Sequence, residues 1–178
     1  MRQHFVTEQW LPYPRAVVFA FFANPANLPP LMPGWQHARI DEATLVPPAQ
    51  TAGAGTAERI YAGSGTRLLI TARVAPGVPL RLPWLALIED FRWDEGFCDI
   101  QVKGPFAYWR HCHSVREEVQ SGQTGTVVRD DVHYELPVPA VSWLGAPLGR
   151  LAMKTMFSYR QQQAEALLPQ FAAAQPSA

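Results

Sequence analysis

The sequence predicts an α+β fold in which long antiparallel strands wrap a single C-terminal helix. Between residues 38 and 136 most segments favour β-structure, and glycine or proline separates them. Their connections are too short for parallel crossovers, which need a dozen or more residues. Residues 147–168 return to helical periodicity. One helix cannot cover a flat sheet of that width, so the sheet must curl and leave a hollow.

The length and the charge limit the class of protein. A chain of 178 residues can bury one substantial core, and we assign a single domain to residues 1–173, with residues 174–178 as a frayed tail. Lys plus Arg equals Asp plus Glu at 15 each, so the net charge is zero and nucleic acid is not an expected partner. Residues 1–11 lack the continuous apolar stretch of a signal peptide, which predicts a cytoplasmic location.

The N-terminal third is predicted to form one strand and two short helices. Residues 2–11 alternate in polarity as a strand does, and Pro14 suits the first turn of a helix. The segment Arg15–Ala23 is apolar around almost its whole circumference, so this helix must be largely enclosed. Within residues 24–32, Asn24 can cap a second short helix.

Seven further segments are predicted as strands, and seven or eight strands in all are expected to pair in one sheet. They are residues 38–46, 55–62, 66–74, 85–93, 97–103, 106–117 and 126–136. The last helix, over residues 147–168, is predicted to bury one face. That face consists of Leu148, Leu151, Ala152, Thr155, Met156 and Tyr159.

The two cysteines and the proline-rich segment carry separate expectations. Cys98 and Cys112 lie in different predicted strands without metal or redox spacing, so both are predicted to be reduced and buried. Residues 75–84 combine prolines with apolar side chains and are predicted to form a flexible lip. The lip could guard a cavity mouth, touch a bilayer transiently, pack on a second subunit or pack back on its own domain. A monomer and a homodimer are both compatible with it.

Motifs along most of the chain resemble one known superfamily. They include Pro14, Phe22, Asn24-Pro25, Pro33-Gly34-Trp35, Gly104-Pro105-Phe106, Trp109, His111, His113, Asp130 and Leu136-Pro137. In these positions the sequence resembles a bacterial branch of the START-like, or SRPBCC, superfamily. The resemblance implies a helix-grip fold: a seven-stranded antiparallel sheet that grips the last helix, with a cavity between them. It implies no single reaction, because the superfamily includes lipid carriers, hormone receptors and polyketide cyclases.

The alternation of the strands predicts which polar side chains face the hollow. Trp109, His111 and His113 form one stripe of a strand, and we assign it inward. The neighbouring strand supports this, because Asp130 and Tyr134 share a face with valines. Phe97, Asp99 and Gln101 share a face, as do Glu89, Phe91 and Trp93. The direction of these last two stripes stays open.

Several of these side chains are candidates for chemistry or binding. A carboxylate can orient a histidine that shuttles a proton, which makes His111, His113 and Asp130 candidate catalytic residues. The alternative is that the buried groups only satisfy one another. The candidate ligand-binding residues are Phe91, Trp93, Asp99, Gln101, Trp109, Tyr134 and Met156. A lone His-x-His is a weak metal signal and the resemblance suggests no metal, so no metal or other cofactor is predicted.

Three functions follow from these residues. The first is binding, or transport, of a small hydrophobic ligand such as a lipid or polyketide in the internal cavity. The second is an enzyme of the polyketide cyclase or dehydratase type that uses the histidines and Asp130. The third is an interaction module that uses the outer face of the sheet, where Arg110, Arg129 and Asp131 lie.

Overall fold

The fold is one seven-stranded antiparallel sheet with a long helix at its C-terminal end. The computed structural model describes residues 2–48, 60–137 and 142–174, and side chains from residue 149 onward in the last of these ranges. The spatial order of the strands is β1-β7-β6-β5-β4-β3-β2. The strands are β1 Gln3–Leu11, β2 Arg39–Thr44, β3 Arg67–Arg73, β4 Arg81–Arg92, β5 Gly96–Lys103, β6 Tyr108–Gln120 and β7 Gln123–Glu135. The predicted fold class is confirmed.

The helices after β1 form where the sequence predicts them. Helix α1 spans Arg15–Ala23 and follows Pro14, whose missing N–H costs nothing at a helix start. Asn24 then accepts a hydrogen bond from the backbone N–H of Ala26 at 3.0 Å, which caps a 3₁₀ turn over Pro25–Asn27. Helix α2, Leu28–Leu31, follows directly. Together these short helices cover the concave side of the sheet beside the last helix.

The last helix, α3, spans Ser142–Ala173, and its buried face differs from the predicted one. Met153, Phe157, Ala164 and Leu168 are buried, whereas Leu151 is 60% exposed. Ala152 and Thr155 are exposed as well, so the predicted face is wrong for these three residues. The true buried series passes through position 160, which is an arginine. Because this charged residue interrupts the apolar periodicity, the sequence pattern indicates a neighbouring face instead.

Two predicted segments end differently in the structure. Strand β4 begins at Arg81, so part of the proposed lip at 75–84 belongs to the sheet. Val78, Leu80 and Leu82 are exposed there, and the role of this segment stays a prediction. Of the predicted strand 55–62, residues 55–59 lie outside the described part of the chain, and residues 60–62 are not a strand. The predicted tail 174–178 also lies outside it from residue 175 onward.

A bulge in β4 settles the direction of the Glu89 stripe. Asp90 has a φ of 52°, and the pairing with β5 shifts between Glu89 and Arg92. Glu89 therefore points outward, 3.6 Å from the guanidinium of Arg110, while the ring of Phe91 packs inward against Phe19. The simple alternation that groups Glu89 with Phe91 and Trp93 fails at the bulge.

The two cysteines form a disulfide between β5 and β6. Cys98 and Cys112 are register partners, with Cα atoms 4.0 Å apart. The prediction that both are reduced is wrong, because the hairpin register, which sequence spacing does not show, sets them opposite each other. Disulfides are rare in cytosolic proteins, so the cytoplasmic location stays a prediction.

Membrane insertion through a helix has no support in the described part of the chain. The described stretch of α3 and the shorter helices contain no run of the length and hydropathy that a bilayer crossing needs.

The core lies on the concave side of the sheet in separate groups. One group, around Leu11, Val18 and Leu168, joins β1, α1 and the end of α3. Another, around Trp109 and Phe157, joins β6 to the earlier part of α3. Further groups line β3, β4 and β5. The space enclosed between these groups forms the cavity described below.

Reduction of the disulfide is expected to destabilise the fold. The bond closes a loop of sequence separation 14, and a loop of about 15 residues corresponds to about 3 kcal/mol of stabilisation. Thermal unfolding followed by circular dichroism should show a midpoint about 6–12 °C lower after reduction. The double variant Cys98→Ala/Cys112→Ala should unfold at the lower temperature with or without reductant. An unchanged midpoint in reduced wild-type protein would show that the crosslink contributes nothing.

Candidate functional site

A cavity of about 120 Å³ lies between the sheet and the helices. An engineered apolar cavity of about 150 Å³ accepts a benzene molecule, so this space suits one aromatic ring. Its apolar lining consists of Phe22, Ala23, Pro25, Leu28, Leu31, Met32, Ala62, Leu68, Ile70, Trp84, Ala86, Ile88, Phe97, Trp109, Met156 and Phe157. Among described residues, the ionisable side chains that line it are Asp99, His111, His113 and Arg160.

Four ionisable residues on three adjacent strands form what we call the ionic cluster: Asp99, His111, His113 and Asp130. The sheet register pairs Asp99 on β5 with His111 on β6, and His113 on β6 with Asp130 on β7. Both histidines and Asp130 are at most 6% exposed. The predicted inward direction of their stripes is confirmed, and Asp99 joins them on the same side.

His111 lies between the two carboxylates of the ionic cluster. Its Nδ1 is 3.1 Å from Oδ2 of Asp99, and its Nε2 is 2.9 Å from Oδ1 of Asp130. Trp109 anchors the other oxygen of Asp99, because its Nε1–H donates to Oδ1 at 2.9 Å. Asp99 is therefore held from two sides, with Oδ2 directed at the imidazoles.

His113 contacts the same carboxylates less closely. Its Nδ1 is 2.8 Å from Oδ1 of Asp130, but at an angle outside the hydrogen-bond range. Its Nε2 is 3.7 Å from Oδ2 of Asp99, beyond hydrogen-bond distance. The rings of His111 and His113 lie 3.9 Å apart between centroids. The second ring nitrogen of His113 is thus free to interact with another group at the cavity wall.

The surroundings shift the pKa values of the two carboxyl groups downward. Burial alone would raise the pKa of Asp99, but the charge of His111 and its hydrogen bond hold that pKa well below its usual value. Burial likewise acts to raise the pKa of Asp130. The hydrogen bond from His111, the close contact of the His113 imidazole and the positive charge of Arg160 outweigh burial and lower it strongly. Both carboxylates are ionised at neutral pH.

The same surroundings move the two imidazoles in opposite directions. Burial disfavours the charged form of His111. The charge of Asp99 and the hydrogen bond to Asp130 outweigh this effect, so the pKa of His111 is raised. Burial and the neighbouring charge of His111 lower the pKa of His113. Near neutrality the two rings therefore differ in protonation, with the proton favoured on His111.

Arg160 on α3 completes the polar wall and is a residue that sequence reasoning missed. Its Nε is 3.9 Å from Oδ1 of Asp130, and its guanidinium carbon is 5.0 Å from the ring centre of Phe22. The side chain is 12% exposed, and its buried Nε has no hydrogen-bond partner within the described ranges. The signal that could have found it is its place in the buried helical series with Phe157 and Ala164.

The other predicted ligand-binding residues divide between the cavity and the surrounding core. Asp99, Trp109 and Met156 line the cavity, whereas Phe91, Trp93, Gln101 and Tyr134 lie outside its lining. The Gln101 amide is used by the backbone of Phe106, donating to its O at 2.7 Å and accepting from its N at 3.1 Å. The Tyr134 hydroxyl donates to Gln3 at 2.8 Å. Phe91 and Trp93 pack around Phe19.

Comparison with known proteins identifies the fold. No protein-family model matches the sequence, and no curated protein matches it either. Among solved structures, a protein from Thermus thermophilus superimposes with a TM-score of 0.66 at 18% identity, over 97% of this chain and 99% of that one. A START superfamily protein from Mycobacterium smegmatis gives 0.59 at 12% identity, over 94% and 97%. Norcoclaurine synthase from Thalictrum, a point mutant in complex with a transition-state analogue, gives 0.55 at 16% identity, over 96% of each chain. The chain shares the helix-grip fold of these structures.

Loss of the Asp130 charge is expected to destabilise the protein strongly. Asp130→Asn removes the negative charge that compensates the buried imidazolium of His111 and the guanidinium of Arg160. Breaking such a buried pair costs about 3–5 kcal/mol. The matched control is Asp131→Asn, which removes a carboxylate on the outer face of the same strand and should cost less than about 1 kcal/mol. Equal losses in free energy of unfolding, measured with urea, would contradict this account.

Proposed function

We propose that this helix-grip protein binds a small, largely apolar organic molecule in the cavity between α3 and the sheet. The observation that carries the proposal is a partly open cavity of about 120 Å³ whose wall is apolar except for one ionisable side. Ligand sites have this composition, because apolar walls supply affinity and a few polar groups fix orientation. The size favours a one-ring compound, such as a fragment of an aromatic polyketide, over a long acyl chain.

Two side chains that line the cavity carry buried N–H donors. Nε1 of Trp84 and Nε of Arg160 are buried N–H donors without a hydrogen-bond partner among described residues. Unsatisfied buried donors cost free energy, so a bound molecule that offers oxygen acceptors gains from meeting them. We therefore expect the ligand to be a phenol, ketone or carboxylic acid rather than a pure hydrocarbon.

An acid–base enzyme of the cyclase or dehydratase type is the second candidate. The observation in its favour is that Nε2 of His113, a cavity-lining residue, has no partner at hydrogen-bond distance among described residues, while Asp130 lies beside its other nitrogen. His111 and Asp130 would orient and support that ring. Replacement of both histidines by Gln separates the two candidates, because it would abolish turnover and leave apolar binding in place.

The remaining expectations rank below these two. An interaction module would gain weight if side chains filled the interior, and the cavity supports ligand binding instead. Transient membrane contact by residues 75–84 and a monomeric or homodimeric state stay predictions.

Partly filling the cavity should weaken ligand binding. Ala86 is 4% exposed and lines the cavity from β4, so Ala86→Phe would occupy part of the space that a ligand needs. Titration of wild-type protein with p-cresol, followed by ligand-observed NMR, should show saturable binding that is at least tenfold weaker in Ala86→Phe.

The control for that experiment is Leu87→Phe, which enlarges a side chain on the opposite face of the same strand. This variant should bind p-cresol as wild-type protein does, and circular dichroism should show both variants folded. Equal p-cresol affinity in the three proteins, or no saturable binding by wild-type protein, would overturn the proposed function.

A further inference from the structure

We propose that the ionic cluster is a binding site for a divalent transition-metal ion, with Asp99, His111 and His113 as ligands. One donor atom from each of these residues can be chosen so that all three lie within 4.8 Å of one another. The ligating atoms would be Oδ2 of Asp99, Nδ1 of His111 and Nε2 of His113. Sequence spacing alone predicts no metal here, and the contacts around the three residues are what change that interpretation.

The first contact is the shared partner of the two imidazoles. Oδ1 of Asp130 lies 2.9 Å from Nε2 of His111 and 2.8 Å from Nδ1 of His113. In each ring this is the nitrogen opposite the proposed ligating one. Metal-binding histidines characteristically direct their second N–H at a carboxylate, which fixes the tautomer and the ring orientation. Asp130 holds the ring of His111 in this way, and Nδ1 of His113 is in contact with the same oxygen but would have to turn to donate to it. We therefore assign Asp130 as a positioning residue.

The second contact anchors the third ligand. Oδ1 of Asp99 accepts the 2.9 Å hydrogen bond from Trp109, so Oδ2 is the oxygen left to face the imidazoles. Ligating carboxylates are normally held by such outer hydrogen bonds. Asp99 and His111 thus each have a hydrogen-bonded partner behind the proposed donor atom, and His113 has Asp130 in contact behind its own.

The spacing of the donor atoms fits metal coordination. Oδ2 of Asp99 is 3.1 Å from Nδ1 of His111 and 3.7 Å from Nε2 of His113. Bonds of about 2.0–2.1 Å in tetrahedral geometry place the donor atoms about 3.4 Å apart. These two separations lie on either side of that value, so Asp99 needs only small shifts to share an ion with each imidazole; the separation of the two imidazole donors is bounded at 4.8 Å.

The donor set and the charge define the chemical class of the ion. Two imidazoles and one carboxylate suit Zn²⁺, Co²⁺, Ni²⁺ or Fe²⁺, whereas Mg²⁺ and Ca²⁺ prefer oxygen. Three protein ligands on a cavity wall leave a coordination position for water or for an oxygen atom from the cavity. With both imidazoles neutral, the carboxylates of Asp99 and Asp130, the guanidinium of Arg160 and a divalent ion give the site one net positive charge. An anionic oxygen would balance that charge.

A second cluster must be separated from this one in any experiment. His4 and His133 share Asp131 on the outer face, at 2.8 and 3.3 Å, and are about half exposed. Their rings are stacked at 4.2 Å with an interplanar angle of 7°. Adventitious metal would bind here, so the reference protein for the test is the variant His4→Ala/His133→Ala.

The test is a titration of the EDTA-treated, desalted reference protein with Zn²⁺ by calorimetry and with Co²⁺ by visible absorption. We expect one ion bound per chain, and visible absorption bands typical of Co²⁺ with four or five ligands. Adding His113→Gln should weaken Zn²⁺ binding at least 100-fold. Adding Asp130→Asn should weaken it about 10–100-fold, the effect typical of a lost outer-shell partner. Circular dichroism identifies any variant that does not fold.

For the case of an unfolded variant, Co²⁺ is added to the wild-type protein and the histidine ring signals are followed by NMR. Broadening of the His111 and His113 signals at one equivalent supports the site. Broadening confined to His4 and His133, or no Zn²⁺ binding by the reference protein, overturns the proposal. Binding of p-cresol in EDTA is measured separately, so failure of the metal site and failure of the cavity as a ligand site are distinguishable.

Discussion

The register of β5, β6 and β7 is the constraint on which the site depends. It sets Asp99 beside His111 and His113 beside Asp130, so that four ionisable side chains meet on the concave face of three neighbouring strands. A shift of one residue in either pairing would turn these side chains to the outer face. The same register places Cys98 opposite Cys112, so the crosslink and the ionic cluster follow from one alignment.

Burial of this cluster has an energetic implication. Removing four ionisable groups from water is unfavourable, and apolar side chains of similar volume often stabilise a core as well or better. The neighbouring positions Val128 and Val132 show that this sheet does use such residues. A polar wall beside an otherwise apolar cavity is therefore better explained by what it contacts in the cavity than by its contribution to folding.

Much of the fold could be predicted from local patterns, and the site only in part. Strand alternation placed His111, His113 and Asp130 inward, because a regular strand has a period of two. It failed at Asp90, where a bulge breaks that period, and it could not show that Gln101 binds the backbone of Phe106. Arg160 was missed because it is a charged residue within an otherwise apolar buried series. Its role depends on how α3 lies on the sheet, which no local pattern contains.

The position of the disulfide has one more consequence. Strand alternation puts the sulfur atoms on the convex side of the β5–β6 pair, between the pairs Phe97–His113 and Asp99–His111, whose side chains project to the concave side. The bond constrains the distance between the backbones of β5 and β6 from the side opposite the cavity. Reduction or oxidation of the disulfide on the convex side can thus alter the spacing of β5 and β6 at the cavity wall, without contact with a molecule bound in the cavity.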